Sequence, residues 1–131
     1  MSGTVITLVG HCGPDMFMLR NAIRNAAPDA TIEVVDSDAA VASIDADVLL
    51  VNRVLDGSFA DTRGIDLIAR LSASRTGPRP AILLISNYAD AQSEAEAAGA
   101  LPGFGKSDLY SDQTRERLLA AIEHARAGAT N

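Results

Sequence analysis

The chain has 131 residues, with 11 Lys plus Arg against 17 Asp plus Glu and a formal net charge of −6. This length suits one domain with a buried core, and 47 % apolar residues exclude a disordered chain. The acidic balance argues against a nucleic-acid surface, and no apolar run reaches the ~18 residues of a membrane span. The first apolar run, 5–9, lacks the basic flank and length of a secretory signal. A single Cys and the lack of zinc-ligand spacing complete the expectation of a cytoplasmic protein with no disulfide, metal or cofactor.

Five short aliphatic runs alternate with amphipathic stretches. The run 5–9 reads as a strand, and 14–27 as a helix opened by Pro14 and Asp15, with Met16, Leu19, Ile23 and Ala26 on one stripe. Residues 32–35 read as a second strand and 38–44 as a short, Ala-rich helix. A third strand at 48–51 precedes a helix at 64–74, which carries Ile65, Ile68 and Leu71 at helical spacing and is broken by Thr76-Gly77-Pro78. A fourth strand at 81–85 leads to a polar-faced helix at 90–98, stopped by Gly99. A weak strand at 100–104 and a helix at 111–126 follow, the helix with Leu118, Leu119 and Ile122 inward and Glu116, Glu123 and Arg126 outward. The first four strands are near-continuous apolar runs, the pattern of strands buried on both faces of a parallel sheet.

The β-α alternation predicts a doubly wound α/β three-layer sandwich with a five-stranded parallel sheet. Ligands of such sheets sit at the carboxyl ends of the strands, near the reversal of strand order. That rule selects Gly10-His11-Cys12-Gly13 after the first strand, Asp36 after the second, Asn52-Arg53 after the third, Ser86-Asn87 after the fourth and Lys106 after the fifth.

Four motifs in this order carry a family resemblance: ADVLLVN at 46–52, RGIDLIARL at 63–71, PAILLIS at 80–86 and AAGALPGFGKS at 97–107. Together they resemble a response-regulator receiver domain, from about residue 4 to residue 127. The resemblance implies a flavodoxin-like sandwich in two-component signalling of bacterial type. It places Asn52 at the phospho-accepting aspartate, Ser86 at the Ser/Thr that closes the fourth strand, and Lys106 at the lysine that closes the fifth.

The departures decide the functional expectation. An amide at Asn52 cannot form an acyl phosphate. The family's acidic pair after the first strand falls on Gly10-His11, or on His11-Cys12 if the gap is placed differently, and neither supplies a carboxylate for magnesium. The loop from Asn52 to Gly64 is longer than the family's usual one, and Gly103 occupies the position of the aromatic switch. A degenerate pocket of Gly10, His11, Cys12, Asn52, Ser86 and Lys106 therefore marks a pseudo-receiver. Asp15, Asp56 and Asp61 are the acids that a mobile loop or helix start could offer as substitute acceptors.

Other readings stand beside this one. The Gly10–Gly13 turn, with two glycines expected at positive φ, could cradle an anion left near Lys106 and Arg53 once the acids are gone. Such a ligand-, metal- or redox-responsive switch would use Gly10, Gly13, Cys12 and Lys106; the plainer reading is a buried, inert Cys12 and a partly exposed His11. On the first helix, Phe17 or Met18 must leave the core stripe, which suits a partner surface. Tyr88 and Tyr110 would decorate a second contact face formed with the fourth helix and fifth strand. The expectation is one non-enzymatic domain, 1–131, without an output domain. It would act by contact with a histidine kinase, phosphotransfer protein or output protein, or as a homodimer.

Overall fold

The computed structural model describes residues 3–129. Its order is β1 (Val5–Val9), α1 (Gly13–Ala26), β2 (Thr31–Val35), α2 (Asp38–Ser43), β3 (Val48–Asn52), α3 (Gly64–Ser74), β4 (Ala81–Ile85), α4 (Ala89–Ala97), β5 (Leu101–Phe104) and α5 (Asp112–Ala129). A 3-10 turn, Lys106–Asp108, lies between the last two. The five strands form one parallel sheet in the order β2-β1-β3-β4-β5. Every element expected from the sequence is present, and the boundaries move by three residues at most.

The continuous apolar strands have a direct cause. Ile6 and Leu8 of β1, Val48 and Leu50 of β3, and Ala81, Leu83 and Ile85 of β4 enter one core with α1 and α5. Val9, Leu49, Val51, Ile82 and Leu84 enter a second core with α2, α3 and α4. Successive side chains point to opposite faces, so only a strand covered on both sides needs apolar residues throughout.

Two expectations are corrected. β2 is an edge strand in which Thr31, Glu33 and Val34 are exposed and only Val35 is buried, so it is not enclosed on both sides. The run Ile32–Val35 reads as buried because β-branched residues also suit an exposed pleated edge. Leu119 of α5 points outward, 39 % exposed, while Leu118, Ala121 and Ala125 form the inward stripe. The small alanines carry the helix-to-sheet contact that the sequence reading assigned to Leu119.

Gly64 is required where α3 leaves the third strand, because a Cβ there would overlap the Asn52 carbonyl oxygen. This close approach fixes the start of α3 against the end of β3.

Candidate functional site at the strand ends

The strand order reverses at β1 and β3, so their carboxyl ends flank the crevice where this architecture offers a ligand site. Here a side chain spans that crevice. Asn52, the last residue of β3, donates from Nδ2 to the carbonyl oxygens of Gly10 (2.9 Å) and Val54 (2.8 Å). Its Oδ1 accepts from the Arg53 backbone N–H (3.0 Å) and from Lys106 Nζ (3.3 Å). Two carbonyl partners require two N–H donors, which an amide has and a carboxylate lacks.

The long β3–α3 loop lies over the same place. Gly10 has φ +74°, and a Cβ there would stand 2.7 Å from Leu55 Cδ2. The Asp56 N–H donates to the Gly10 carbonyl (3.0 Å) and the Ser58 N–H to that of Asp36 (2.7 Å). Farther along, the Ala60 N–H donates to Asp38 (2.8 Å), and Arg70 bridges Asp38 (2.9 Å) and Asp61 (2.6 Å). Asp61 is therefore held at α3, remote in role from Lys106, and Asp56 is exposed on the loop.

Lys106 is not left without a neighbour of opposite sign, contrary to expectation. Asp15, in the first turn of α1, accepts a 2.6 Å ion-paired hydrogen bond from its Nζ. That bond, aided by the Cys12 thiol, holds the Asp15 carboxyl below its ordinary pKa. An incoming anion thus meets a cation that is already compensated, and the anion-cradle reading loses its main attraction. The turn also differs: Gly10 alone has positive φ, whereas Gly13 opens α1 and has no neighbouring atom that a Cβ would strike.

The burial of the adjacent pair is the reverse of that expected. His11 is buried, 6 % exposed, and Cys12 is half-exposed at the N-cap of α1. His11 Nε2 lies 2.8 Å from the Leu50 carbonyl, which can only accept, so the proton sits on Nε2. Nδ1 is buried without a hydrogen-bond partner among the described residues. Burial lowers the His11 pKa to about 4, so the ring is neutral at physiological pH. No cluster of three or more His, Cys, Asp and Glu able to hold a metal occurs among the described residues.

On the far side of Asn52, the buried Ser86 hydroxyl accepts from the Tyr88 N–H (3.1 Å). The Arg53 guanidinium stacks 5.0 Å from the centre of the Tyr88 ring. These residues, with Asn52 and Lys106, line an open polar hollow of about 310 Å³. Phe17 (68 % exposed) and Met18 (40 %) leave the α1 core stripe, as the spacing requires. Tyr88 (61 %) and Tyr110 (63 %) are both exposed, and Tyr110 shares a hollow with Met18 and Leu109 beside α1.

Solved structures share this architecture. The signal receiver domain of a DNA-binding response regulator from Colwellia psychrerythraea superposes with a TM-score of 0.68 at 17 % identity, covering 92 % of this chain and 98 % of that one. A response regulator from Thermotoga maritima gives 0.69 at 16 % identity, with 92 % and 98 % covered. The non-phosphorylated receiver domain of the stress response regulator RcsB from Escherichia coli gives 0.67 at 19 %, with 92 % of each chain covered. The fold is that of a response-regulator receiver domain. No protein-family model and no curated protein sequence matches the chain. Within the receiver fold, the strand-end crevice of this chain is bridged by an amide and roofed by its own loop. No helix of the described residues is long and apolar enough to cross a membrane.

Proposed function

We propose that the chain is a pseudo-receiver, a signalling module that acts by phosphorylation-independent contact with other proteins. The observation that carries this reading is the double donation by Asn52 to Gly10 and Val54. At the position matching the family's phospho-acceptor, a neutral amide occupies both of its donors in holding β1, β3 and the loop together. Lys106, which would meet a phosphoryl group, is engaged by Asp15. With no acyl phosphate to add charge, the module holds one state rather than shifting between two.

The proposed contact residues are the exposed Phe17, Met18, Tyr88 and Tyr110, of which Met18 and Tyr110 line one hollow beside α1. Exposed large apolar side chains of this kind suit partner docking. The partner class is a histidine kinase, a phosphotransfer protein or an output protein, or a second copy of this chain.

The test is incubation with acetyl phosphate and magnesium, read by intact mass. No mass gain is expected. A gain of one phosphate, mapped to Asp15 or Asp56, overturns the phosphorylation-independent reading. Thermal shift with nucleotides, anions, metals and oxidant addresses the switch reading, because a ligand specific for the folded state raises Tm.

A further inference from the structure

We propose that the groove between α2 and α3 is a binding site for a small aliphatic monocarboxylate, held by Arg75 at its head and by apolar side chains along its tail. This site lies apart from the strand-end crevice and does not depend on the signalling reading.

The groove lies between α2 and the second half of α3, from Leu67 to the C-cap Arg75, and has a volume of about 420 Å³. Asp38 at the start of α2 pairs with Arg70 of α3 along one side of it. Its walls and floor include Val41, Ile44, Leu49, Leu71 and Ile82. A volume of this size falls within the ~300–1,000 Å³ of small-molecule sites, which combine apolar walls with a few placed polar groups.

The polar groups at its margin are unequal. Arg70 is ion-paired with both Asp38 and Asp61, which compensate its charge. Arg75, at the C-cap of α3, donates from Nη1 to the Pro80 carbonyl (2.7 Å) and from Nη2 to the Gly99 carbonyl (3.1 Å). Those bonds fix its guanidinium without neutralising it. No carboxylate of the described residues forms an ion pair with Arg75. What sets Arg75 apart is its place: a guanidinium held by two carbonyls and paired with no carboxylate of the described residues lies at the margin of an apolar groove. Its remaining N–H groups suit a carboxylate. A polyanion would meet Asp38 at the other margin, so the charge pattern favours a single negative head on an apolar tail.

The experiment is an amide-resolved NMR titration of the protein with decanoate. Saturable shifts are expected at Ala42, Ile44, Leu71, Ser74 and Arg75. The neutral analogue 1-decanol is expected to bind about tenfold more weakly, the loss of one charge-assisted contact. Two exposed positions probe the site without touching the core. Ser74→Glu sets a carboxylate beside Arg75 and is expected to weaken decanoate about tenfold while leaving decanol unchanged. Ala42→Phe plugs the groove and is expected to abolish binding of both. Absence of saturable shifts in the groove overturns the proposal, as does binding confined to another surface. Equal affinity for decanol and decanoate overturns the assignment of Arg75.

Discussion

Replacing Asn52 by aspartate tests the central reading. The substitution is isosteric and returns the carboxylate that the receiver resemblance calls for. In this structure it also exchanges an N–H₂ group, 2.9 Å from the Gly10 oxygen and 2.8 Å from the Val54 oxygen, for an oxygen that repels both. Each lost hydrogen bond costs about 1 kcal/mol, and the new oxygen–oxygen contacts add about 1–2 kcal/mol. Gly10 keeps the Asp56 N–H, so its carbonyl is not orphaned. Lys106, 3.3 Å from Oδ1, offsets about 1 kcal/mol, limited by its prior engagement with Asp15. The net expectation is a loss of about 2–3 kcal/mol, or a fall in Tm of about 6–15 °C for a domain of this size. Urea denaturation of parent and variant measures it, followed by acetyl phosphate labelling with magnesium and intact-mass detection. The variant is expected to be less stable and to remain unlabelled. Stability within about 0.5 kcal/mol of the parent, or magnesium-dependent labelling of this single variant, would falsify the argument.

Three further outcomes are expected. His11 has a folded pKa of about 4 against 6.5 in the unfolded chain, so its contribution is complete above pH 6.5 and is lost as pH falls through that window. Parent stability should drop by about 3 kcal/mol from this group between pH 7 and pH 4, with the slope reduced in His11→Gln, by urea melts across pH. Asp15 has a depressed pKa, so its ion pair with Lys106 stabilises above the unfolded value of about 3.9 and weakens as pH falls toward the folded value. The stability gap between parent and Asp15→Asn should therefore be present at pH 7 and shrink below pH 4. Phe17→Ala and Tyr110→Ser remove exposed groups and should change stability by no more than about 0.5 kcal/mol. In a binding assay with the cognate partner both should lower affinity, and unchanged affinity would remove this surface from the reading.

The fold was legible because its strands are short and buried on both faces, which sets a local pattern. α3 was readable to the residue, since Gly64 at its start and the Thr76-Gly77-Pro78 break after its end are both local signals. The edge position of β2 was not readable, because β-branched residues serve an exposed edge and a buried centre alike. The strand-end residues Gly10, Asn52, Ser86 and Lys106 were found by their position after each strand. Their bonding was not. Asp15 reads as an ordinary helix-start acid, and its partner Lys106 is 91 positions away. The burial of His11 and the partial exposure of Cys12 come after the positive-φ turn at Gly10, which ends the two-residue alternation of β1.

The Asn52 bridge has a consequence for the history of such a chain. On the function proposed above, a phosphorylatable form is not reached from this chain by the single change to aspartate at position 52. Aspartate at 52 alone loses the Gly10 and Val54 bonds before it gains any chemistry, while Asp15 still holds Lys106 and Leu55 still lies against Gly10. The first step back descends in stability, and natural proteins stand only a little above the stability they need. On that proposal the amide works as an evolutionary ratchet: with the loop and α1 bonded around it, changes at the surface of this domain cost less stability than a change at position 52.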